Sequence, residues 1–444
     1  MSIEVCAVGG FGEVGRNMTA IKVDDEVVII DMGIHLPNYI AVTENEMDDI
    51  ESVTEHQLIK ANAIPDYHLL DDWKDKVIGI LPSHAHLDHI GAIPYIAGKF
   101  NAPIICSPYT AAVIKKILAD NKQHPKNKII STPLNSKYKL SKNITAEFIS
   151  VTHSIPHTCF IALHTKYGVV LYALDFKFDN APVVGTKPNY AAMEAIGKKG
   201  VILALVDSLY AHDHRKMPSE SVVKEMLRDV LLGIRTYGKA IIVTTFASHI
   251  ARLKTIVELG NHLNRKVVFL GRSLYKYVSA AEEVGIIDFS KVKIAKYSNQ
   301  SKALLKKIEK EGPDKYLVVV TGHQGEPKST LSKLVHKELP FKFMSDDVVI
   351  FSSNVIPVPI NQNHRAKMEE LLTKQGVRIF KDLHVSGHPA REDLREFIRL
   401  VNPKHMIPAH SEIDKMKQFE ELAHLTGHKN IHFLYTGKKW KLPL

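Results

Sequence analysis

The stretch His84-Ala85-His86-Leu87-Asp88-His89 places four potential metal ligands within six positions. Imidazole nitrogens and carboxylate oxygens are ligands that zinc and manganese accept, and a stretch without cysteine does not suit a closed structural zinc site. The apolar run at 77–81 predicts a buried strand just before it. A turn after that strand would bring the first two histidines together, and the last two ligands would begin a helix and address a second metal. We therefore predict a metal site here rather than a histidine-rich surface turn.

The composition is that of a soluble globular protein of two or three domains, with 444 residues, 45% hydrophobic and 24% charged. Lys and Arg outnumber Asp and Glu by 58 to 48, and the net charge of +10 favours a polyanionic partner such as nucleic acid. Cys6, Cys106 and Cys159 form no closely spaced pair, which indicates a reducing compartment. The first residues lack a secretion-signal pattern, and no apolar run approaches about 18 residues. We expect a cytoplasmic protein without a membrane span.

Apolar strands that end at a histidine or an aspartate recur along the first half of the chain. Three such strands deliver His153, Asp175 and Asp207 in turn, and a hairpin ends at Asp31. Ligands gathered at strand ends are the way in which an α/β sandwich builds a site.

Two loops in this half invite functional interpretations. The glycine-rich turn at 9–15 has the composition of a dinucleotide-binding turn, but a strand follows it where that fingerprint requires a helix, so we reject that interpretation. The long connection at 36–74 lacks strong periodicity, and we predict a lid or a binding loop there.

From Ser219 onward, where we predict a helix start, helices and strands alternate. This alternation predicts a parallel sheet in a second domain inserted into the first. The predicted domain ranges are 1–211, 212–365 and 366–444. For the tail we predict strands at 380–386, 406–409 and 430–435 and a helix at 413–425, with the second of these strands delivering His410.

These residues carry a family resemblance. Asp31, the stretch 84–89, His153, Asp175 and His410 match in order and context the five motifs of the metallo-β-lactamase superfamily. The segments at 207–208, 384–388 and 407–410 resemble the motifs of its nucleic-acid-processing β-CASP branch. Six further stretches resemble the ribonuclease J family, in its archaeal form: 12–17, 175–177, 244–248, 271–273, 321–327 and 351–357. The resemblance covers nearly the whole chain and implies an α/β protein, a metallo-β-lactamase αββα sandwich with an inserted parallel-sheet β-CASP domain.

The resemblance implies a site for two divalent metal ions. The ligands would be His84, His86 and His153 for one ion and Asp88, His89 and His410 for the other, with Asp175 bridging them and room for a shared water. We expect zinc, and manganese is the alternative that the same ligands accept. Asp31 would orient the ligating histidines from behind, unless it is a plain turn residue after its strand.

The resemblance also implies an acid–base pair beside the metals. His388 would stabilise the scissile phosphate and protonate the leaving oxygen, and Asp207 would hold its imidazole in orientation. The alternative is that Asp207 is a bystander of the metal site or a helix cap.

A pocket for a 5′-terminal phosphate is implied as well. Its members would be His384, Ser386, the Gly387 amide and Ser248, since hydroxyls, amides and an imidazole suit a phosphate dianion. Ser248 could instead merely cap the helix predicted to begin at the next residue.

Three histidines and the chain end depart from the family pattern or lie outside it. His249 and His323 could contact RNA, although tolerated variation is the simpler interpretation, and we place His157 behind the ligands or at the surface. Because the sequence ends soon after His410, we expect the compact archaeal form, without the additional C-terminal domain of bacterial relatives.

The implied function is a metal-dependent ribonuclease of RNA decay and maturation, chiefly a 5′→3′ exonuclease that releases mononucleotides from single-stranded RNA with a 5′-monophosphate. An endoribonuclease of the polyadenylation-cleavage-factor type, or dual activity, is the alternative. Two other classes of protein are disfavoured. A thioester hydrolase of the glyoxalase II type would lack the inserted domain, and a non-catalytic RNA-binding subunit would have lost some of the metal ligands. The expected partners are single-stranded RNA, a second copy in a homodimer and an RNA-decay complex, with no membrane.

Overall fold

The computed structural model describes residues 2–45, 53–121, 125–356 and 358–443. The chain forms two compact units. The first comprises Met1–Asn180, Thr186–Met217 and Gly387–Leu444, and the second comprises Ala181–Gly185 and Pro218–Ser386. Part of the predicted lid at 36–74 and the last residue of the 351–357 stretch lie outside the described residues.

The described residues contain strands throughout both units. They are β1 (Ile3–Gly9), β2 (Met18–Val23), β3 (Glu26–Ile30), β4 (Val77–Leu81), β5 (Ile104–Cys106), β6 (Ile129–Ser131), β7 (Ser136–Lys139), β8 (Thr145–Ser150), β9 (Cys159–Thr165), β10 (Gly168–Ala173), β11 (Val201–Asp207), β12 (Ile241–Thr244), β13 (Lys266–Leu270), β14 (Lys293–Ala295), β15 (Tyr316–Val320), β16 (Val348–Phe351), β17 (Arg378–Phe380), β18 (His405–Ala409) and β19 (Lys438–Lys441).

Helices connect and flank these strands. They are α1 (Leu36–Asn45), α2 (Glu55–Lys60), α3 (Leu87–Ile90), α4 (Ile93–Ile96), α5 (Pro108–Asp120), α6 (Tyr190–Lys199), α7 (Glu220–Gly233), α8 (Ile250–His262), α9 (Arg272–Glu283), α10 (Ser298–Glu311), α11 (Thr330–Val335), α12 (Pro359–Lys374), α13 (Arg391–Val401) and α14 (Ile413–Leu425). No helix among the described residues is both long and apolar enough to cross a membrane.

The first unit is a sandwich of two mixed sheets. Their strand orders are β19-β1-β2-β3-β4-β5-β6 and β18-β11-β10-β9-β8-β7. Apolar side chains of both sheets, such as Ile30, Phe148 and Leu205, share one buried core between them. A second core covers the outer face of the latter sheet with α6, α13 and α14, and α5 packs on β5 and β6. The layers are therefore helix, sheet, sheet, helix, as two half-buried sheet faces require.

Parallel pairing determines where the site of this unit forms. β3 pairs with β4, and β11 pairs with β10 and β18, all in parallel. Parallel neighbours end at the same edge of a sheet, so the residues that follow these strands are brought together. The predicted ligand-bearing strands thus deliver their side chains to common edges.

The second unit contains one fully parallel sheet of order β14-β13-β15-β12-β16-β17. Helices α10, α11 and α12 bury apolar side chains such as Leu305, Leu334 and Leu372 against it, and α8 and α9 pack against β13. The alternation of helices and strands in the sequence correctly predicted this parallel sheet.

Several elements differ from the sequence prediction. The strand at 380–386 is wrong beyond Phe380, because side chains rather than a neighbouring strand bind the Leu383 carbonyl. The strand at 430–435 is reduced to a single bridge at Ile431, and β19 pairs with β1 instead. Helix α10 was missed, although Leu304 and Ile308 show its apolar periodicity.

The second unit also extends further along the chain than the predicted range 212–365. It continues to Ser386 because β17 pairs with β16 and thereby belongs to the second sheet. At its start, the division falls between Met217 and Pro218. The short segment Ala181–Gly185 belongs to this unit as well, which the sequence did not indicate.

Candidate metal centre

Seven side chains of the first unit meet beyond the ends of its strands. They fall into two groups in which the donor atoms all lie within 4.8 Å of one another: His84, His86, His153 and Asp175, and Asp88, His89, His410 and Asp175. These are the two ligand sets expected from the family resemblance, with the same shared aspartate.

Three residues of this region adopt a backbone conformation that side chains rarely take. The φ angles are +62° at Asp31, +48° at Asp175 and +56° at His410, each directly or shortly after a strand. Such strain clusters at functional sites, where the surrounding structure holds it in place. Here the left-handed residue ends each strand abruptly, so that its side chain is available to the cluster.

Asp175 lies between the two groups, with one oxygen facing each. Its Oδ2 is 3.5 Å from both His84 Nε2 and His153 Nε2. Its Oδ1 is 3.3 Å from His89 Nε2 and 3.8 Å from His410 Nε2. The carboxylate is buried, and no described group donates a well-directed hydrogen bond to Oδ1. A buried carboxylate oxygen in that position is suited to a cation.

The donor atoms fit divalent cations. His86 Nδ1 is 3.1 Å from both His84 Nε2 and His153 Nε2. Nitrogens bound to one zinc ion at about 2.0–2.1 Å in a tetrahedral arrangement would be roughly 3.3 Å apart. Three imidazoles facing one point at this spacing, with no thiolate among them, are the arrangement of an open site for a divalent metal.

Hydrogen bonds on the opposite ring nitrogen fix the orientation of these histidines. Nδ1 of His153 donates to the Gly387 carbonyl at 2.7 Å, and Nδ1 of His410 donates to the Asn17 side chain at 3.0 Å. Nδ1 of His89 donates to Asp31 Oδ2 at 2.7 Å. Each bond selects the tautomer whose Nε2 lone pair points into the cluster, as metal-binding histidines require.

The ionisation of two histidines and of the shared aspartate agrees with this arrangement. Burial and neighbouring imidazoles hold the pKa of His84 and of His153 well below the usual value, so both rings are neutral donors. Burial raises the pKa of Asp175, but the adjacent His410 and His89 outweigh it and hold that pKa well below its usual range. The carboxylate is therefore ionised. Burial lowers the pKa of His89, but the Asp175, Asp31 and Asp88 carboxylates outweigh it and raise that pKa well above its usual value. Metal ligands bind as neutral imidazoles and ionised carboxylates, so a metal ion at His89 would displace a proton.

Asp31 lies behind the cluster and is hydrogen-bonded to one of its histidines. Its oxygens accept hydrogen bonds from the Ser83 amide at 2.7 Å, the Ser83 hydroxyl at 2.9 Å and the Tyr172 hydroxyl at 2.8 Å. Together with His89 these are four bonds to one fully buried carboxylate. Asp31 thus connects the start of the histidine stretch to the strand that delivers Asp175.

Sequence reasoning missed several supporting residues. Tyr172 gave no signal beyond its place on an apolar strand. Asn17, although part of a quoted motif, had no role assigned, and its amide group donates to the Asp88 carbonyl at 2.9 Å. Gly33 lies so close to Asp88 that an added Cβ would be 1.6 Å from the Asp88 carbonyl oxygen. Only glycine allows this approach.

His388 and Asp207 form a hydrogen-bonded pair at the edge of the cluster. His388 Nδ1 donates to Asp207 Oδ2 at 2.7 Å, and the same atom is 3.9 Å from Asp175 Oδ2. Burial lowers the pKa of His388, but the Asp175 and Asp207 carboxylates outweigh it and raise that pKa to about 9. The second oxygen of Asp207 accepts the Leu209 amide at 2.9 Å. The predicted pair is therefore formed, with a protonated imidazole.

The residues predicted for a phosphate pocket are divided between the units. Ser248, His384 and Ser386 belong to the second unit, and Gly387 belongs to the first, where its carbonyl binds His153. In the second unit the Phe246 ring is 6.3 Å from the His384 ring, which brings the segment before α8 beside the segment after β17. Ser248 is buried and does not cap α8, which removes that alternative.

A buried ionic network holds these second-unit segments. Arg252 is fully buried and pairs with Glu220, with Nε 2.5 Å and Nη2 3.0 Å from its carboxylate oxygens. Its Nη1 donates to the carbonyls of Ser352 at 2.7 Å and Leu383 at 3.2 Å. The His249 ring is 3.4 Å from the same carboxylate. Arg252 thereby ties the residue before His384 to the end of β16.

The remaining histidines noted in the sequence lie outside both donor groups. The His249 ring is buried beside Glu220, and His323 packs against the Phe246 ring at 4.1 Å. His157 Nδ1 accepts the Tyr109 amide at 3.3 Å. None of the three lies in a described cluster that could hold a metal.

Three family models match the chain. Residues 11–175 match the metallo-beta-lactamase superfamily, residues 238–368 the ribonuclease J beta-CASP domain, and residues 377–434 the Zn-dependent metallo-hydrolase RNA specificity domain. The first match lies in the first unit and the second match in the second unit, while the third begins directly before β17 of the second unit and continues into the last part of the first unit.

Curated relatives extend over the same length. Ribonuclease J of Methanocaldococcus jannaschii is 41% identical over 99% of this chain and 98% of its own, and that of Pyrococcus abyssi is 38% identical over 99% and 97%. Ribonuclease J of Helicobacter pylori is 30% identical over 98% of this chain but only 60% of its own. A crystal structure of a protein of unknown function from Enterococcus faecalis V583 shares the fold, with a TM-score of 0.67 and 16% identity over 100% of both chains.

Proposed function

The chain belongs to the ribonuclease J family and is a metal-dependent ribonuclease, and on that premise we propose that it acts chiefly as a 5′→3′ exonuclease. The proposed substrate is single-stranded RNA with a 5′-monophosphate, and the proposed product is the mononucleotide. The observation that carries the hydrolytic part of this proposal is the pair of donor groups that share Asp175, with one oxygen facing each.

We assign the donor residues roles in holding two divalent ions. His84, His86 and His153 would hold the first, Asp88, His89 and His410 the second, and Asp175 both. Two such ions would lower the pKa of a water for attack on phosphorus and neutralise the phosphate oxygens. We propose zinc, because imidazole-rich oxygen and nitrogen sites suit it, and manganese is the competing ion.

The chain's own residues would supply the proton for the leaving oxygen. The bond from His388 Nδ1 to Asp207 orients the ring and stabilises its protonated form. We therefore assign His388 as the general acid and Asp207 as the residue that positions it. Catalysis by a positioned acid of this kind contributes roughly 10²–10⁴-fold.

The choice of the 5′ end rests on Ser248, His384, Ser386 and the amide of Gly387, which we propose as the binding residues for a terminal phosphate. Support comes from the neighbouring positions of the Phe246 and His384 segments in the second unit and from the buried Arg252 that holds them. A homodimer, a cytoplasmic location and a place in an RNA-decay complex remain predictions, and light scattering of the purified protein tests the first.

The experiment compares RNA oligonucleotides that differ only in the 5′ group: monophosphate, triphosphate or hydroxyl. Each carries a 5′ or a 3′ label. The proposal predicts labelled mononucleotide from the monophosphorylated 5′ end and slower turnover of the other two substrates. Internal fragments whose yield is indifferent to the 5′ group would overturn it and favour the endonucleolytic alternative. Cleavage that persists in His84→Ala would overturn the metal mechanism.

Two variants separate chemistry from recognition of the 5′ end. His388→Ala should lower turnover on every substrate by roughly 10²–10⁴-fold with metal content unchanged. Ser248→Ala should weaken the preference for the monophosphate, also with metal content unchanged, and an equal loss on all three 5′ ends would count against the pocket. His157→Asn is a matched control, since His157 lies outside both donor groups and Asn tolerates its φ of +56°.

A further inference from the structure

An exposed cluster of tyrosines and cations lies at one edge of the second unit's sheet. Tyr275 and Tyr297 are 38% and 47% exposed, so a large part of each ring is accessible to solvent. The Lys296 ammonium is 4.8 Å from the Tyr275 ring centroid and 5.0 Å from the Tyr297 centroid, and the exposed Arg272 guanidinium is 6.0 Å from the latter. We call these four residues the tyrosine platform.

The strand register places the platform. Leu270 at the end of β13 pairs with Ala295 at the end of β14, so Arg272 and Tyr297 are each two residues beyond that pair. Their two loops are joined by the hydrogen bond from the Gly271 amide to the Ala295 carbonyl at 3.0 Å. The platform therefore lies at the carboxyl edge of the sheet, where ligands of open parallel sheets bind.

The same edge carries the residues proposed for the RNA 5′ end. Leu270 pairs with Val320, and Val320 pairs with Thr244, so β13, β15 and β12 end level with one another. Phe246 and Ser248 follow β12 directly. Adjacent strands are about 4.8 Å apart, so three spacings separate the ends of β14 and β12 by roughly 14 Å. That is about four nucleotides at the stacked rise of 3.4 Å.

We propose that the tyrosine platform binds single-stranded RNA, at nucleotides a few positions downstream of the 5′ end; this position rests on the proposed function. Exposed aromatic rings beside cations are the recognition chemistry of single strands, because bases stack on the rings and the cations bind phosphates. Binding of this kind is independent of sequence, as a processive nuclease requires. The net charge of +10 supports a polyanionic ligand.

The chain offers a matched control in Tyr237. This side chain is 93% exposed and precedes β12, so it lies at the opposite, amino edge of the same sheet. Tyr237→Ala therefore removes an exposed tyrosine of the same unit without touching the platform. Tyr275→Phe and Tyr297→Phe keep the aromatic faces and test whether the ring or the hydroxyl matters.

The experiment measures RNA affinity by fluorescence anisotropy in an Asp175→Asn background, in which RNA stays intact. With a 20-nucleotide single strand, Tyr275→Ala and Tyr297→Ala should each weaken binding roughly fivefold or more. The phenylalanine variants and Tyr237→Ala should bind like the parent. The alanine variants should lose less affinity for a tetranucleotide than for the long strand. Lys296→Gln should reduce the slope of log affinity against log salt by about 0.7.

Two results would overturn the proposal. One is an unchanged affinity of the double variant Tyr275→Ala, Tyr297→Ala for the long strand, with its melting temperature equal to that of the parent. The other is a change in oligomeric state with no change in RNA affinity, which would make the platform a protein interface. Platform variants that lose affinity equally for 5′-hydroxyl and 5′-phosphate RNA would support the platform even if the exonuclease proposal failed.

Discussion

Both units bury a carboxylate among charged neighbours behind the ends of parallel strands, but in opposite ways. In the second unit, Glu220 accepts two hydrogen bonds from the guanidinium of Arg252 and is neutralised within the protein. In the first unit, Asp175 lies among histidines, each of which places one ring nitrogen within 4.8 Å of the other donor atoms of its group. Its Oδ1 receives no well-directed hydrogen bond from a described group.

The difference separates a structural ion pair from a ligand set. A buried carboxylate that is paired with a guanidinium has its counter-charge within the protein, whereas a buried carboxylate shared by two groups of imidazole nitrogens is suited to a divalent cation. Removing a charge should therefore stop chemistry in the first cluster and reduce stability in the second. The predictions below test this contrast.

The largest effect is expected for Asp175→Asn. The substitution removes the negative charge that both donor groups share, so metal binding and RNA cleavage should fall to background. The fold should persist, because Asp175 lies beyond the end of β10 and belongs to neither apolar core of the first unit. Metal analysis and circular dichroism of the purified variant check both statements, and retention of two bound ions would contradict the bridging role.

Arg252→Met should have the largest effect on stability. It removes the guanidinium partner of the buried Glu220 and leaves the His249 ring beside that carboxylate. Breaking a buried ion pair costs about 3–5 kcal/mol in comparable cases. The loss in the free energy of unfolding is measured by chemical unfolding, with hydrogen exchange in β12 and α8 as the local probe. Metal content should be unchanged. A variant as stable as wild type would show that the network is not structural.

Asp31→Asn should have an intermediate effect. Residues that orient metal-binding histidines typically contribute 10- to 100-fold in metal affinity or activity. We expect the metal affinity of the variant to fall by that factor, and competition with a chelator measures it. If the loss is as complete as for Asp175→Asn, Asp31 does more than orient His89.

The smallest effect concerns pH. His249 and Arg252 outweigh burial and hold the pKa of Glu220 well below its usual 4.5. A carboxylate whose pKa is depressed in the folded state contributes stability above its unfolded pKa, and that contribution is lost as pH falls below about 4.5 towards the folded value. Glu220→Gln should flatten the acid side of the stability curve by at most about 1.4 kcal/mol per pH unit. An unchanged acid slope would contradict the depressed pKa.

The two clusters also differ in how far the sequence predicted them. The family resemblance named the donor residues from the sequence, and the strands before His153, Asp175 and His410 indicated that these three would lie at one edge of a sheet. Their role as metal ligands stays a prediction. The Glu220–Arg252 pair was not predicted, since its members lie on separate helices and no periodicity marks a buried arginine. Tyr172 and Asn17 were missed for the same reason, because their roles depend on contacts with residues that are distant in the sequence. Tyr172 bonds to Asp31, 141 positions away, and Asn17 bonds to Asp88, 71 positions away.

The tyrosine platform was missed for a related reason. Its residues come from two segments whose side chains approach one another only because β13 and β14 pair in register. The motif at 271–273 pointed to the first loop, but β14 is three residues long and gave no separate signal. Short edge strands and the clusters that follow them are the features that sequence patterns reveal least well.

The central claim is that two divalent ions share Asp175, and a crystal structure with anomalous diffraction at the zinc and manganese edges tests it most directly. The account predicts two anomalous peaks in each chain, one among His84, His86 and His153 and one among Asp88, His89 and His410, with Asp175 between them. A single peak, or peaks away from Asp175 in protein that cleaves RNA, would contradict it.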